Sequence, residues 1–203
     1  MIAIIDYGIG NLFSLKSSFA RIGQEAVVTS NVDLIRAADR IILPGVGAFE
    51  DAARKLRESG MDKVVIQEAQ NGKPLMGICL GMQMLFEKSY EYGEHEGLGI
   101  IKGEVNPLQS AIPSELKIPH MGWNKLKFIG EKDDIFKYLN EGDFVYFVHS
   151  FHATGCDSSL IATAEYGVDV TAAVRSKNVW GCQFHPEKSG SVGLSILKAF
   201  CEI

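Results

Sequence analysis

The chain has 203 residues, 46% of them hydrophobic, enough to bury one substantial core and short for two, so a single domain over residues 1–203 is expected. A formal net charge of −5, with no Lys/Arg cluster interleaved with aromatics, argues against a nucleic-acid binder. Four cysteines with no C-x-x-C pair and no regular spacing argue against a disulfide framework and for a reducing, cytoplasmic setting.

Ile2 to Ile5 reads as a short apolar strand ending at Asp6. It lacks the basic start of a secretory leader, and no apolar run approaches the ~20 residues of a membrane span, so a soluble, intracellular protein is expected. Tyr7-Gly8-Ile9-Gly10-Asn11 leads into Leu12 to Ile22, apolar at helical spacing, with Asn11 placed to cap it. Gly8-x-Gly10 invites a dinucleotide-binding reading, but the third glycine of that fingerprint falls on Phe13, and the reading fails. Ala26 to Thr29 is a second strand, Val32 to Ala38 a short helix and Arg40 to Leu43 a third strand. That strand runs into Pro44-Gly45-Val46-Gly47 and a helix over Ala48 to Leu56. Two glycines around one residue let a peptide unit turn its N–H toward a neighbouring site, and the adjacent helix start suits an anion. A plain strand-to-helix turn has the same residues. Met61 to Gln70 is a further helix, closed by Asn71-Gly72-Lys73-Pro74.

Leu75 to Ile78 reads as a buried strand and Leu80 to Phe86 as the start of a helix, so Cys79 falls at the join, flanked by Gly77 and Gly81. This is the geometry of a nucleophile elbow: a tight turn leaves no room for side chains on either side and forces the central one outward. The helix behind Cys79 adds a positive dipole end and free backbone N–H groups, a setting that favours an anion. Taken alone, the pattern fits a buried cysteine between two packing glycines nearly as well. The alternation of strands and helices up to this point argues for an α/β fold with a mostly parallel central sheet and helices on both faces. Sites in such sheets lie at the carboxyl ends of strands.

From Gly97 onward the texture changes. Gly103, Pro107, Pro113 and Pro119 break up the chain, and Lys117 to Phe128, Asp143 to His149, Leu160 to Glu165 and Val170 to Val174 read as strands of an antiparallel extension on the sheet. Val179 to Phe184 looks like a strand running into His185-Pro186-Glu187. In extended chain, residues two apart point the same way, so the Glu187 carboxylate reaches the His185 imidazole. Cysteine, histidine and carboxylate then make up nucleophile, general base and orienter. Cys182 and His185 have a spacing that suggests a metal site, but no second pair accompanies them; neither a metal nor a cofactor is expected. Gly190 to Phe200 closes the chain as a helix.

These motifs resemble the class I, triad-type glutamine amidotransferases. The resemblance is carried by Asp6 to Leu12, Pro44 to Phe49, Gly77 to Gln83, Pro119 to Asn124, Tyr146 to Ser150 and Gln183 to Ser189, and is strongest with members that serve histidine biosynthesis. It implies that the Cys79 thiolate attacks the side-chain amide of glutamine and that His185 protonates the departing ammonia. Glu187 is then implied to hold the His185 tautomer, and Leu80 with the peptide at Val46-Gly47 to bind the oxyanion. Gln83, Glu91 and the loop His149-Ser150-Phe151 match the glutamine-holding set. A tyrosine more commonly follows the serine, so a backbone role for this loop is unaffected and a hydroxyl role is lost.

The same resemblance implies a heterodimer in which a (β/α)8-barrel cyclase receives the ammonia, with Asn11, Trp123 and Lys188 at the interface, and a lone subunit that is a poor glutaminase. Read by themselves, these three residues are a helix cap, a core side chain and a solvated charge. Met121, Gly122 and Trp123 together are an unusual group to leave on a surface without a partner. Relatives that serve other ammonia-using synthases share the triad. A cysteine peptidase or esterase on an elbow fold is a further alternative, against which Gln83 and the Gly45 to Gly47 loop argue, and a non-catalytic module with a relic site ranks last.

Overall fold

Four-residue apolar runs make up the first half of the sheet. β1 (Ile2–Ile5), β2 (Ala26–Thr29), β3 (Arg40–Leu43) and β4 (Leu75–Ile78) stand where the sequence places them in the computed structural model, which describes residues 1–203. Between them run α1 (Leu12–Arg21), α2 (Val32–Ala37), α3 (Phe49–Glu58) and α4 (Met61–Gln70), and α5 (Leu80–Met84) follows β4 directly. The second half adds β5 (Lys88–Ser89), β6 (His95–Glu96), β7 (Glu104–Pro107), β8 (His120–Lys125), β9 (Lys127–Phe128), β10 (Phe144–His149) and β11 (Phe151–Thr154). It ends with β12 (Leu160–Glu165), β13 (Asp169–Ser176), β14 (Val179–Cys182) and α6 (Gly190–Cys201). No helix is long and apolar enough to cross a membrane.

The main sheet has the order β2-β1-β3-β4-β14-β13-β12-β9. Its first five strands are parallel, and β13, β12 and β9 continue it antiparallel. All of β1 and β4 is buried, as strands covered on both faces require. Ile2 and Ile4 pack with Leu15 and Phe19 of α1 and Leu197 and Phe200 of α6. Ala3 and Ile5 face the other way, onto Ile35, Phe49, Leu56 and Val65 of α2, α3 and α4. The strand order reverses between β1 and β3, and Tyr7, Pro44, Cys79 and His185 lie just past the carboxyl ends of β1, β3, β4 and β14.

Three expectations need correction. Only β9, β12 and β13 extend the main sheet; β8 and β10 pair with each other alone, and β11-β7-β5-β6 form a separate four-stranded sheet. The run from Lys117 to Phe128 is therefore two strands in two sheets, broken at Leu126, whose N–H donates to Asp143 O. α5 stops at Met84 because the carbonyls of Met84, Leu85 and Phe86 accept from Leu98, Ile100, Ile101 and Gly99. Asn11 occupies the N-cap position of α1, but its side chain makes no capping bond.

Candidate active site

Cys79 is the hinge between β4 and α5, with φ 55° and ψ −114°, a region that few residues other than glycine enter. Its neighbours explain how the turn closes. A Cβ at Gly77 would lie 2.7 Å from Gly81 O, and one at Gly81 would run into Leu43 O. Across the gap, a Cβ at Gly45 would stand 2.6 Å from Gly81 N. The Pro44 loop and the elbow thus pack backbone on backbone, which a buried structural cysteine between two glycines does not require. Cys79 N donates to Cys182 O at 2.7 Å, tying the elbow to β14. The residue is 7% exposed and lines a pocket rather than standing on an open surface.

His185 follows β14, its N–H held by Tyr146 O at 2.9 Å and its carbonyl by the Ser189 hydroxyl at 2.7 Å. Pro186–Lys188 form a 3₁₀ turn, so Glu187 reaches the ring by a tight turn and not along the extended chain that spacing suggested. Nδ1 of His185 and Oε1 of Glu187 are 2.8 Å apart. Burial opposes charge on this ring, but hydrogen bonding to Cys79 and Glu187, and the negative charge of both, outweigh it and hold His185 up at about 9.

A cavity of about 340 Å³ opens over Cys79. Val46, Gly47, Leu80 and His185 line it together with Cys79, and Gln83, Glu91, Ser150, Phe151 and Lys188 are also in its wall. Glu91 accepts from Phe49 N at 2.7 Å, so one oxygen caps the start of α3; desolvation raises its pKa, and that backbone bond opposes the rise. Phe151 contributes its carbonyl, which accepts from Gln83 Nε2 at 3.0 Å and from His149 Nδ1 at 2.8 Å. His149 lines the cavity too, but its other nitrogen, Nε2, meets His120 Nδ1 at 2.9 Å. Both ring nitrogens therefore meet protein groups, while the residue still lines the cavity as part of the loop His149-Ser150-Phe151. Burial is the main cause that brings His149 down to about 3.

Asn11 and Trp123 lie outside the cavity. Asn11 is half-buried beside the β1–α1 turn, where Gly10 approaches Pro44. Trp123 is 52% exposed and Met121 60%, so neither is a core side chain. Met121, Trp123 and Lys125 alternate along β8 and are all exposed, so this face of the β8–β10 ribbon is left uncovered.

A model of the family "Glutamine amidotransferase class-I" matches residues 3–202. The chain belongs to the class-I glutamine amidotransferases. It is 50% identical over 202 residues to a curated "Imidazole glycerol phosphate synthase subunit HisH" of Lactococcus lactis subsp. lactis, covering 99% of this chain and 98% of the relative. The protein of the same description from Wolinella succinogenes is 47% identical, with 100% of both chains covered. Among solved structures, one described as a glutamine amidotransferase superposes with a TM-score of 0.77 at 19% identity, covering 100% of this chain and 98% of the other. PurLQS of Thermotoga maritima gives 0.74 at 21% identity, covering 99% and 97%. At these identities the two structures speak for the fold.

Sequence reasoning missed several residues of this class-I glutamine amidotransferase site. Gln183 is fully buried and contacts Cys79, Tyr7 donates to Pro44 O at 2.7 Å under the Gly45 loop, and Val148 O lies 3.9 Å from Cys79 Sγ. His120, stacked between Phe147 and Tyr166, links His149 to Asn124 Oδ1 at 2.7 Å, and Asn124 Nδ2 donates to Glu165 O. Gln183 and His120 each lie inside a motif that carries the family resemblance, and that is the signal that could have singled them out.

Proposed function

We propose that this chain is the glutaminase subunit of an imidazole glycerol phosphate synthase, hydrolysing glutamine at Cys79 and passing ammonia to a (β/α)8-barrel cyclase. In that complex, a cytoplasmic heterodimer, the cyclase makes imidazole glycerol phosphate and AICAR for histidine biosynthesis. The observation that carries the reading is the placement of Cys79 on a strained elbow beside a His185–Glu187 pair, over a cavity large enough for one amino acid. The full-length similarity to HisH subunits supports the choice of synthase.

In this mechanism Sγ of Cys79 attacks the amide carbon, and the carbonyl oxygen gains charge opposite the N–H groups of Leu80 and the Val46-Gly47 peptide. With its pKa near 9, His185 is protonated at neutral pH and stands ready as the acid. It gives its proton to the leaving nitrogen as the C–N bond breaks, so ammonia departs and a thioester remains. The neutral ring then takes a proton from water, the hydroxide adds to the thioester, and glutamate leaves as the thiolate re-forms. Glu187 keeps Nδ1 occupied, so the other ring nitrogen does this work. Gln83, Glu91 and the backbone of the loop His149-Ser150-Phe151 hold the substrate in the wall of the cavity.

Ammonia released into water near neutral pH becomes ammonium and loses its nucleophilicity, so delivery under cover favours a docked cyclase. Exposed Trp123 and Met121, with Asn11 and Lys188 nearer the site, are the surface assigned to it. The test is glutamate release from glutamine by this chain, with and without a histidine-pathway cyclase and its nucleotide ligand. Strong stimulation is expected. Turnover that is indifferent to the cyclase would reassign the chain to another ammonia-using synthase.

A further inference from the structure

Gln183 follows β14, has no solvent exposure and lies outside the cavity lining. A buried carboxamide has to satisfy both of its ends, and here the ends are not interchangeable. Gln83 Nε2 donates to Phe151 O at 3.0 Å and to Gln183 Oε1 at 2.9 Å, which uses both of its hydrogens. The oxygen of Gln183 is thereby fixed toward Gln83, and its Nε2 is turned to Cys79 Sγ, 3.8 Å away. On another side of the sulfur, Val148 O lies 3.9 Å off, a partner for a thiol hydrogen and a repulsive neighbour for a thiolate.

We infer that Gln183 is a further catalytic residue, donating a hydrogen bond to the Cys79 thiolate from outside the substrate cavity, and that Gln83 is a positioning residue that sets its direction. This rests on the reading of Cys79 as the nucleophile. The contact to Gln183 is made best when the sulfur is an anion, whereas the contact to Val148 O needs the thiol. Gln183 therefore favours the attacking form, and the carbonyl of Phe151 in the glutamine loop is joined to the nucleophile through two carboxamides. The substrate-holding wall and the sulfur are then one hydrogen-bonded unit, so displacing the loop loosens the sulfur as well.

The test is alkylation of Cys79 by iodoacetamide at pH 7 in the full chain, with the modified residue identified by peptide mapping. It needs neither glutamine nor the cyclase. Gln183→Met, which keeps length and removes the donor, is expected to slow alkylation about tenfold, the effect of one hydrogen bond to a charged group. Gln83→Met is expected to slow it about threefold, and the double variant to be no slower than Gln183→Met alone. A wild-type rate in Gln183→Met, or single effects that multiply in the double variant, overturns the inference. If circular dichroism shows Gln183→Met to be unfolded, Gln183→Glu decides in its place: a slowed rate supports the contact and an unchanged rate overturns it. Slowed alkylation in a chain that releases no glutamate even with the cyclase leaves the sulfur contact standing and removes the glutaminase reading. Unchanged alkylation with normal glutamate release does the reverse.

Discussion

Oε1 of Glu187 stands 2.8 Å from Nδ1 of His185 with both side chains 2% exposed, and the second oxygen of Glu187 is buried without a partner. The imidazole is therefore this carboxylate's one hydrogen-bonding partner, and the carboxylate is what occupies Nδ1. A buried charge with one partner is costly to orphan, so the two side chains act as a unit.

Glu187→Gln keeps the shape of that unit and removes its charge. In the complex, kcat for glutamine is expected to fall on the order of 10²-fold, the scale of a positioned acid–base group. KM should change little, since Glu187 does not line the cavity. Steady-state kinetics at saturating cyclase and ligand would separate the two.

Stability should peak near the ordinary histidine pKa, roughly 6.5. His185 is raised to about 9, so the folded chain binds more protons than the unfolded one above pH 6.5, and its contribution is lost as pH rises toward 9. His149, lowered to about 3 by burial, has the opposite sign: the unfolded chain binds more protons below pH 6.5, and stability falls on acidification. His120 and His152, also lowered by burial, add to the acid limb. Urea midpoints between about pH 5 and 8.5 would trace both limbs, and His185→Gln should flatten the alkaline one.

Gly81→Ala puts a methyl group into the Leu43 carbonyl, a backbone atom that cannot rotate away. A loss of about 3 kcal/mol in urea denaturation is expected, the upper end for overpacking. Ammonia-dependent cyclisation by the complex should survive better than glutamine-dependent cyclisation, because the elbow is the part displaced.

Cys79→Ala and Cys79→Gly both remove the sulfur, and both should abolish use of glutamine while leaving cyclisation with added ammonia. They differ in stability. Alanine keeps the backbone strained at φ 55°, whereas glycine relieves about 1–3 kcal/mol and gives back part of that through a more flexible unfolded chain. Cys79→Gly should therefore be the more stable by about 1 kcal/mol in paired denaturation curves.

Trp123→Ala removes a half-exposed ring that packs edge-on against Tyr146. The free chain is expected to lose no more than about 1 kcal/mol. Titration calorimetry with the cyclase should show affinity lower by at least about thirtyfold if the ring is an anchor of the interface. Unchanged affinity would move the docking face elsewhere.

The parallel half of the fold was legible because each strand is a single apolar run closed by turn residues; β1 to β4 have the predicted bounds. β5 and β6 have two residues each and no period to read, and the pairing of β8 with β10 alone is a tertiary outcome that alternation along either strand does not encode. Cys79, His185 and Glu187 stood out because a strained turn and a two-residue pair are local patterns. Gln183 and His120 did not, since each acts through partners far away in sequence, Gln83 and His149. Trp123 looked like core by residue type, and its exposure follows from the ribbon's uncovered face.

The buried line from Phe151 O through His149 and His120 to Asn124 is one hydrogen short. Phe151 O calls for an N–H on His149, and Asn124, whose Nδ2 is committed to Glu165 O, turns an oxygen that calls for an N–H on His120. Where the rings meet, at 2.9 Å, a third hydrogen is needed. Two neutral imidazoles carry two, and burial keeps both of these rings from charging easily. The shortage has to fall at one of three places, and each choice dictates a different pair of tautomers. Asn124, one residue from Trp123 on the outer ribbon, thus stands at one end of a line whose other end is the carbonyl that supports the glutamine loop.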